Sequence, residues 1–230
     1  KKKKVKNEKA TDATDEEIKE ANRKVDEAQA EAKTNIQIAS ANDLVNEAKL
    51  NGINKINAIA PATTVKTDAR KAIQDKAAEQ IELIQATPDA TNEEKQASIA
   101  KVNSELAKAQ EQINSEHTTQ RVNDAKTNAV SAIGQITAQP IEKQAARDAI
   151  NQKATEQTAA INANNNATDE EKAEANERVN AAKQTALNAV ENSTTSHDVN
   201  TAKSNGVTSI GNVVPSTIIK TNAKNDIDTA

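Results

Sequence analysis

The sequence predicts an all-α protein built from tandem three-helix bundles, and three observations support this prediction. A motif of Ala, Thr and paired Glu begins at Ala13, Ala90 and Ala167, so it recurs every 77 residues. Two other short motifs recur at the same interval. Between the motifs, apolar residues follow the period of about 3.6 residues that is typical of amphipathic helices. An interval kept constant over three copies indicates a tandem array of one small helical unit.

The Ala-Thr motif predicts the start of a helix, here called helix B. Thr14 can accept a hydrogen bond from the first turn, and Glu17 can reach back to the Thr14 N–H group. We expect the inner four columns of its apolar stripe to be buried, and the first column, which changes between Ile and Lys, to be peripheral. The stripes are Ile18, Ala21, Val25, Ala28, Ala32 and Ile36, then Lys95, Ser98, Val102, Glu105, Ala109 and Ile113, then Lys172, Ala175, Val179, Ala182, Ala186 and Val190.

A short polar connection leads from helix B into helix C, which carries the motif Val-Asn-x-Ala-Lys. One column of helix C holds Gly52, Ala129 and Gly206. Glycine inside a helix costs about 1 kcal/mol relative to alanine, so this column predicts a close approach of two backbones. A local kink at Gly206 is the alternative. The stripes are Val45, Ala48, Gly52, Ile53, Ile56 and Ile59, then Val122, Ala125, Ala129, Val130, Ile133 and Ile136, then Val199, Ala202, Gly206, Val207, Ile210 and Val213.

Helix A carries the third motif, and a proline precedes it in each copy. Proline in a helix interior costs about 3 kcal/mol or more. Pro61, Pro140 and Pro215 therefore indicate that helix C does not continue into the next helix A, so we expect discrete bundles and junctions of restricted bending. The inward-facing residues of helix A are Ala69, Ile73, Ala77 and Ile84, and then Ala146, Ile150, Ala154 and Ile161.

These elements predict the division of the chain and the way in which its parts are joined. Residues 1–60 are a partial repeat with an atypical Lys-rich start, 61–137 and 138–214 are full three-helix repeats, and 215–230 begin another. An odd number of antiparallel helices makes the chain leave each bundle at the end opposite its entry. We therefore expect bundles joined end to end into an elongated, monomeric rod, each adding roughly 30–40 Å at about 1.5 Å per residue.

Composition excludes several classes of function. Phe, Tyr, Trp, Met and Cys are all absent and apolar residues make up 35% of the chain, which argues against a deep ligand pocket. A net charge of −4 without any aromatic residue gives no surface for nucleic acid. The absence of Cys also excludes disulfides and thiolate metal sites. No apolar run approaches about 18 residues, so we expect no membrane insertion within this segment.

Few residues are candidates for catalysis or for metal binding. His117 and His197 occupy non-equivalent positions without a cluster of ligands, so we interpret them as exposed bystanders. The pairs Glu93/Glu94 and Glu170/Glu171 are explained by helix capping rather than by carboxylate catalysis. We therefore predict that the chain is not an enzyme and that it has no catalytic, cofactor-binding or metal-binding residues.

The three motifs together resemble the tandem helical repeat of giant wall-anchored surface proteins of staphylococci. The resemblance covers nearly all of residues 11–230, with Ala-Thr-Asp-Glu-Glu-Lys opening helix B, Val-Asn-x-Ala-Lys in helix C and Ala-Arg-x-Ala-Ile in helix A. Residues 1–10 depart from it. The resemblance implies an extracellular protein of the bacterial cell wall or surface, linked to adhesion, cell aggregation and biofilm. It also implies a signal peptide and a wall anchor outside these residues.

Three hypotheses for function remain open. The first is a non-enzymatic spacer that holds a functional region away from the cell wall. The second is weak, multivalent adhesion by the repeats themselves to a host extracellular-matrix protein or to the same protein on another cell. The third is an intracellular helical scaffold. The outward positions differ in charge and type between copies, which favours the spacer.

Overall fold

The protein is entirely helical in the computed structural model, which describes residues 1–230. Short connections join ten helices. The all-α prediction is therefore confirmed. The helices are α1 Lys2–Asn7, α2 Asp15–Ile38, α3 Asn42–Ala58, α4 Thr64–Gln85, α5 Asn92–Ser115, α6 Thr119–Gly134, α7 Ile141–Asn162, α8 Asp169–Asn192, α9 Ser196–Gly211 and α10 Ile218–Asp228.

The helices group in threes, which confirms the predicted tandem three-helix bundles. In the third bundle, α7, α8 and α9 each pack against the other two. In the second bundle, α4, α5 and α6 all contribute residues to one apolar cluster. In the first bundle, α2 packs against α3, and α1 contacts α2. The chain leaves α6 and enters α7 through a break at residues 135–140, as the proline at this connection predicts.

Two compact units make up the chain. One holds Lys1–Glu82 with Ala100–Ile136, and the other holds Leu83–Ile99 with Thr137–Ala230. The division passes through the second bundle. Each unit therefore contains one complete junction between consecutive bundles, called here the first junction and the second junction.

The buried residues of helix B follow the predicted columns in part. Lys95 and Lys172 are half-buried, which confirms the peripheral first column. Ala32, Glu105 and Ala182, in columns expected to be buried, are only half-buried, and for Glu105 the reason is that a charged side chain remains partly solvated.

The last column of helix B is more buried than expected in two of the three copies. Ile113 and Val190 in the last column are fully buried, whereas only the inner four columns were expected to be. The reason is that Ile113 belongs to the same cluster as Ala69 at the start of helix A and residues at the start of helix C.

The glycine column of helix C marks a close approach between helices B and C. A Cβ atom added to Gly206 would lie 2.4 Å from the Ala186 Cβ, and one added to Gly52 would lie 2.4 Å from the Ala32 Cβ. Helix α9 continues from Ser196 to Gly211 without interruption. The prediction of backbone approach is therefore confirmed, and the helix is not interrupted at Gly206.

Candidate functional site: the junctions between bundles

Three polar side chains are completely buried, and all three lie where one bundle meets the next. They are Thr14, Lys66 and Thr91. Lys143, at the second such place, is 6% exposed. By contrast, the side chains of His117 and His197 lie at the surface. No group of three or more His, Asp or Glu side chains is arranged to hold a metal ion. The junctions are therefore the sites at which this chain carries specific polar geometry.

Each helix B begins with the capping box that the sequence predicts. At the start of α5, the Thr91 N–H donates to Glu94 Oε2 at 2.8 Å, and the Glu94 N–H donates to Thr91 Oγ1 at 3.2 Å. The same reciprocal pair is present at Thr14 and Glu17 in α2, and at the start of α8. In each case only one carboxylate oxygen is used within the helix.

The second oxygen of this Glu caps helix A of the following bundle. Glu94 Oε1 accepts from the N–H groups of Ile141 and Glu142 at 2.8 and 3.0 Å, at the start of α7. Glu17 Oε1 accepts from the Val65 N–H at 3.2 Å and from the hydroxyl group of the preceding threonine at 3.0 Å. Helix α7 has no side-chain cap of its own, because Pro140 occupies its N-cap position. The preceding bundle therefore supplies the cap that helix A lacks.

The neighbouring Glu caps helix C of the following bundle. Glu16 Oε2 accepts from both the N–H and the hydroxyl group of Thr119 at 2.9 Å. Glu93 Oε2 accepts from the Ser196 N–H at 2.8 Å and from its hydroxyl group at 3.1 Å. Two adjacent carboxylates thus hold two different helices of the next bundle. We call this set, Thr14, Glu16 and Glu17 at the first junction and Thr91, Glu93 and Glu94 at the second, the carboxylate clamp.

Hydrogen bonds also run across each junction in the opposite direction. The Asp15 N–H at the start of α2 donates to the His117 carbonyl at 2.7 Å, and the Asn92 N–H donates to the Thr194 carbonyl at 2.9 Å. The Thr14 and Thr119 hydroxyl groups lie 3.1 Å apart. The start of helix B and the start of the next helix C therefore satisfy each other's free backbone groups.

A buried lysine completes each junction. Lys66 is 0% exposed, and its ammonium group donates to the Thr11 carbonyl at 2.9 Å and to the Asn114 carbonyl at 2.8 Å. Thr11 belongs to the preceding bundle, whereas Asn114 lies in the last turn of α5, where the helix dipole favours a cation. Lys143 repeats the second contact, donating to the Glu191 carbonyl at 2.7 Å.

An arginine one turn further along helix A spans the same two segments. Arg147 donates to Asp89 at 2.9 Å and to Glu191 at 2.7 Å, so it bridges the α4–α5 loop and the end of α8. Arg70 contacts Asp12 at 3.2 Å and the amide oxygen of Asn114 at 2.7 Å. The second junction therefore pairs its arginine with two carboxylates and the first with one.

Hydrogen bonds lower the pKa values of Glu16, Glu17 and Glu93. The Thr119 N–H is the main cause for Glu16, and the Ser196 N–H is the main cause for Glu93, where the charge of Asp198 opposes it. Burial alone would raise the pKa of Glu17. The hydrogen bonds from Thr14, Val65 and the Thr64 hydroxyl outweigh burial, so the pKa of Glu17 is lowered as well. All three shifts favour the ionised form, which is the form that accepts these bonds.

The interpretation of the paired glutamates from sequence was incomplete. Capping of helix B accounts for one oxygen of Glu94, but it accounts neither for its other oxygen nor for the contacts of Glu93. The buried lysine was missed altogether. The signal that could have revealed it is the 77-residue spacing of Lys66, Lys143 and Lys220, which place a charged residue at one position of helix A in every copy.

Bundles that cap one another's helices at repeated junctions define a tandem-repeat protein of three-helix units. A family model described as Domain of Unknown Function (DUF1542) matches residues 1–64, 65–141 and 142–218. The chain belongs to this family. The borders of these segments lie a few residues after the predicted ones at 61 and 138, inside the first turns of α4 and α7.

Similar proteins are found in Staphylococcus aureus. The chain is 26% identical over 227 residues to the "Extracellular matrix-binding protein EbhA" of strains Mu3 and N315, covering 98% of this chain and 3% of the relative. The "Extracellular matrix-binding protein ebh" of strain JH9 shows the same identity, and the chain covers 2% of it. The resemblance to repeats of giant staphylococcal surface proteins is thus confirmed. The chain spans a small fraction of these relatives, and no solved structure matches it.

None of the ten helices is both long enough and apolar enough to cross a membrane.

Proposed function

We propose that this chain is a non-enzymatic repeat region of a bacterial cell-surface adhesin and that it acts as an extended spacer. The observation that supports this function is the carboxylate clamp, which links each bundle to the next through the starts of two helices. A single contact would leave a bundle free to turn about it. Two separate helix caps and a buried lysine restrict both bending and twisting.

The physical reason for this stiffness lies in the backbone N–H groups at helix starts. The first N–H groups of a helix have no partner within the helix. If the second junction bent open, the N–H groups of Ile141 and Glu142 would lose Glu94, and the Ser196 N–H would lose Glu93. Water would replace these partners at a free-energy cost, so the closed junction is the favoured state. An array of such junctions resists bending along its length, as a spacer requires.

A second candidate function is weak, multivalent adhesion by the repeats. The names of the relatives, which describe extracellular matrix-binding proteins, favour it. The candidate partners are a host extracellular-matrix protein or a second copy of the protein on another cell. Many weak contacts on a regularly spaced array would add to a strong one. This candidate is compatible with the spacer, because stiff junctions would keep such contacts at fixed intervals.

Small-angle X-ray scattering on the 230-residue chain, over a series of concentrations, tests the spacer. A maximum dimension of about 100 Å or more, as expected from roughly 30–40 Å per bundle, unchanged with concentration, would support a monomeric spacer. A compact particle would contradict it. A particle whose mass grows with concentration would favour adhesion between copies.

The location of the parent protein is part of the same proposal. We infer an extracellular position at the cell wall. Labelling of intact cells with an antibody raised against this chain would test it. Surface labelling without permeabilisation is the expected result, and labelling only after permeabilisation would support an intracellular scaffold.

A further inference from the structure

We propose that the junctions are the acid-sensitive elements of this chain, so that acidification releases each bundle from the next while the bundles themselves stay folded. The inference rests on the proposed function, because it describes how the stiffness of the spacer is controlled. The carboxylate clamp then does more than connect consecutive bundles, because its protonation converts a stiff array of bundles into a flexible one.

The geometry of Glu17 and Glu94 requires ionised carboxylates, because both oxygens of each accept hydrogen bonds, in Glu94 from three different N–H groups. A protonated carboxyl group has one O–H donor in place of acceptor capacity. On either residue that proton would face groups that also donate, so it finds no acceptor at its present position. Glu16 and Glu93 accept across the junction through Oε2 alone, and protonation there turns a charge-assisted hydrogen bond into a weaker neutral one. Protonation therefore weakens the bonds to both helices of the next bundle together.

The charged groups around the clamp do not replace the lost carboxylates. At the first junction, Arg70 pairs with Asp12 and Arg121 with Glu116, while Lys66 is bound to backbone carbonyls. His117 contributes its backbone carbonyl, and Asp68 follows Lys66 in α4.

The second junction has a larger negative charge around its clamp. Asp198 lies near Glu93, and Glu142 follows the N-terminal residue of α7. The cations there are Lys143 and Arg147, which pairs with Asp89 and Glu191. His197 lies in the first turn of α9. Through Asp89, Arg147 adds a second ionic contact between the two bundles.

The interiors of the bundles contain no carboxylate that caps a second helix. Glu105, which lies in an inner column of helix B, pairs only with Lys108 of its own helix. The cluster of the third bundle consists of Ala, Ile, Val and Leu side chains, from Ala146 in α7 to Val213 after α9. The cluster of the second bundle is of the same kind. Burial of these side chains does not depend on protonation. Acid therefore acts on the connections first.

The direction of the pH dependence follows from the direction of these pKa shifts. The pKa values of Glu16, Glu17 and Glu93 are lowered in the folded chain. The contribution of these glutamates to the stability of the closed junction is therefore complete above the ordinary glutamate pKa of about 4.3. It is lost as the pH falls through their lowered pKa values. The junctions are closed at neutral pH and open in the acid range below about pH 4.3.

Distances between paired spin labels would test this inference, because the chain has no cysteine of its own. Ala97→Cys on α5 with Glu177→Cys on α8 places one label on each side of the second junction. Glu177→Cys with Asn205→Cys on α9 places both labels within the third bundle and reports on its folding. Each pair is measured from pH 7 to pH 2.5, with far-ultraviolet circular dichroism to follow helix content.

We expect the junction pair to give a narrow distance distribution at pH 7 and one at least twice as broad at pH 3, while the bundle pair stays narrow. The double variant Glu93→Gln/Glu94→Gln should be broad already at pH 7. The matched control is Glu170→Gln, because Glu170 is the third-copy counterpart of Glu93 and its side chain is exposed. It should behave as the unchanged chain does.

Two outcomes would overturn the inference, and a third concerns the function. A junction pair that stays narrow at pH 3 would show that the clamp does not depend on ionisation, while the spacer would stand. Broadening of both pairs at the same pH would show that the bundles, not the junctions, are acid-sensitive. A junction pair already broad at pH 7 in the unchanged chain would contradict the stiff spacer itself, and with it this inference.

Discussion

The interiors of the bundles and the junctions between them differ in how far their side chains vary between copies. Inside the bundles, side chains in one column differ between copies, as with Ala28, Glu105 and Ala182 in helix B. At the junctions, the capping Thr and its Glu three residues later are identical in all three copies. Apolar contact is non-directional and tolerates such changes. Hydrogen bonds from one carboxylate to two helices do not, because both distances and directions are fixed.

This difference explains why the repeat keeps a constant length. A bundle could gain or lose residues in its loops and still bury its stripes. The clamp connects residues that are 48 and 103 positions apart, and the same separations occur at both junctions. A change of length in any of the helices between them would misplace the carboxylates. The junction, more than the core, fixes the interval.

The largest expected effect comes from placing a charge inside a bundle. Val179 is completely buried in the third bundle. Val179→Asp would bury an unpaired carboxylate, at a cost of about 3–5 kcal/mol. This cost is a large part of the free energy of unfolding of one bundle of this size. We expect hydrogen exchange in α7, α8 and α9 to become fast while α2 stays protected. Val179→Ala is the milder control, and loss of all three bundles together would contradict independent bundles.

The next effect concerns the buried lysine at the first junction. Lys66→Met keeps the packing of the side-chain stem but leaves the Thr11 and Asn114 carbonyls without their donor. We expect a loss of about 1–3 kcal/mol, the cost of unsatisfied buried polar groups, measured by urea unfolding. Lys220→Met is the matched control, because Lys220 occupies the same column but is exposed. Equal effects of the two substitutions would contradict a role for burial at the junction.

A smaller effect is expected from the glycine column. Gly206→Ala would bring two Cβ atoms to 2.4 Å and force α8 and α9 apart. Overpacking costs about 1–3 kcal/mol, and the better helix propensity of alanine returns about 1 kcal/mol, so thermal unfolding should show a modest net loss. Gly211→Ala is the control, since its Cβ would meet only the flexible end of Lys153. The double variant Ala186→Gly/Gly206→Ala should restore the close approach.

Much of the fold could be predicted from sequence, because its determinants are local. The stripe of Val25, Val102 and Val179, the Thr caps and the prolines each act within one or two helical turns. Even the close approach at Gly52 and Gly206 could be inferred, since glycine is unfavourable in a helix without such a reason.

The junctions could not be predicted in the same way. Nothing within α5 indicates that Glu93 binds Ser196, because that contact depends on how the end of one bundle meets the start of another. The full burial of Lys66 was equally hidden, since a lysine on a helix is ordinarily exposed. Local patterns identified the units, while the contacts that join them are properties of the assembled chain.

The most direct test of the account is hydrogen exchange of the first-turn amides of α7 at neutral pH. We expect Glu94→Gln to speed exchange at Glu142 by roughly fivefold, as loss of a typical helix cap would, without changing the core of α7. The effect at Ile141 should be smaller, because its N–H group also donates to the Gln139 carbonyl at 2.9 Å. Glu171→Gln, the same substitution one repeat later, should leave these amides unchanged. If Glu94→Gln also left them unchanged, the claim that each bundle caps the next would be wrong.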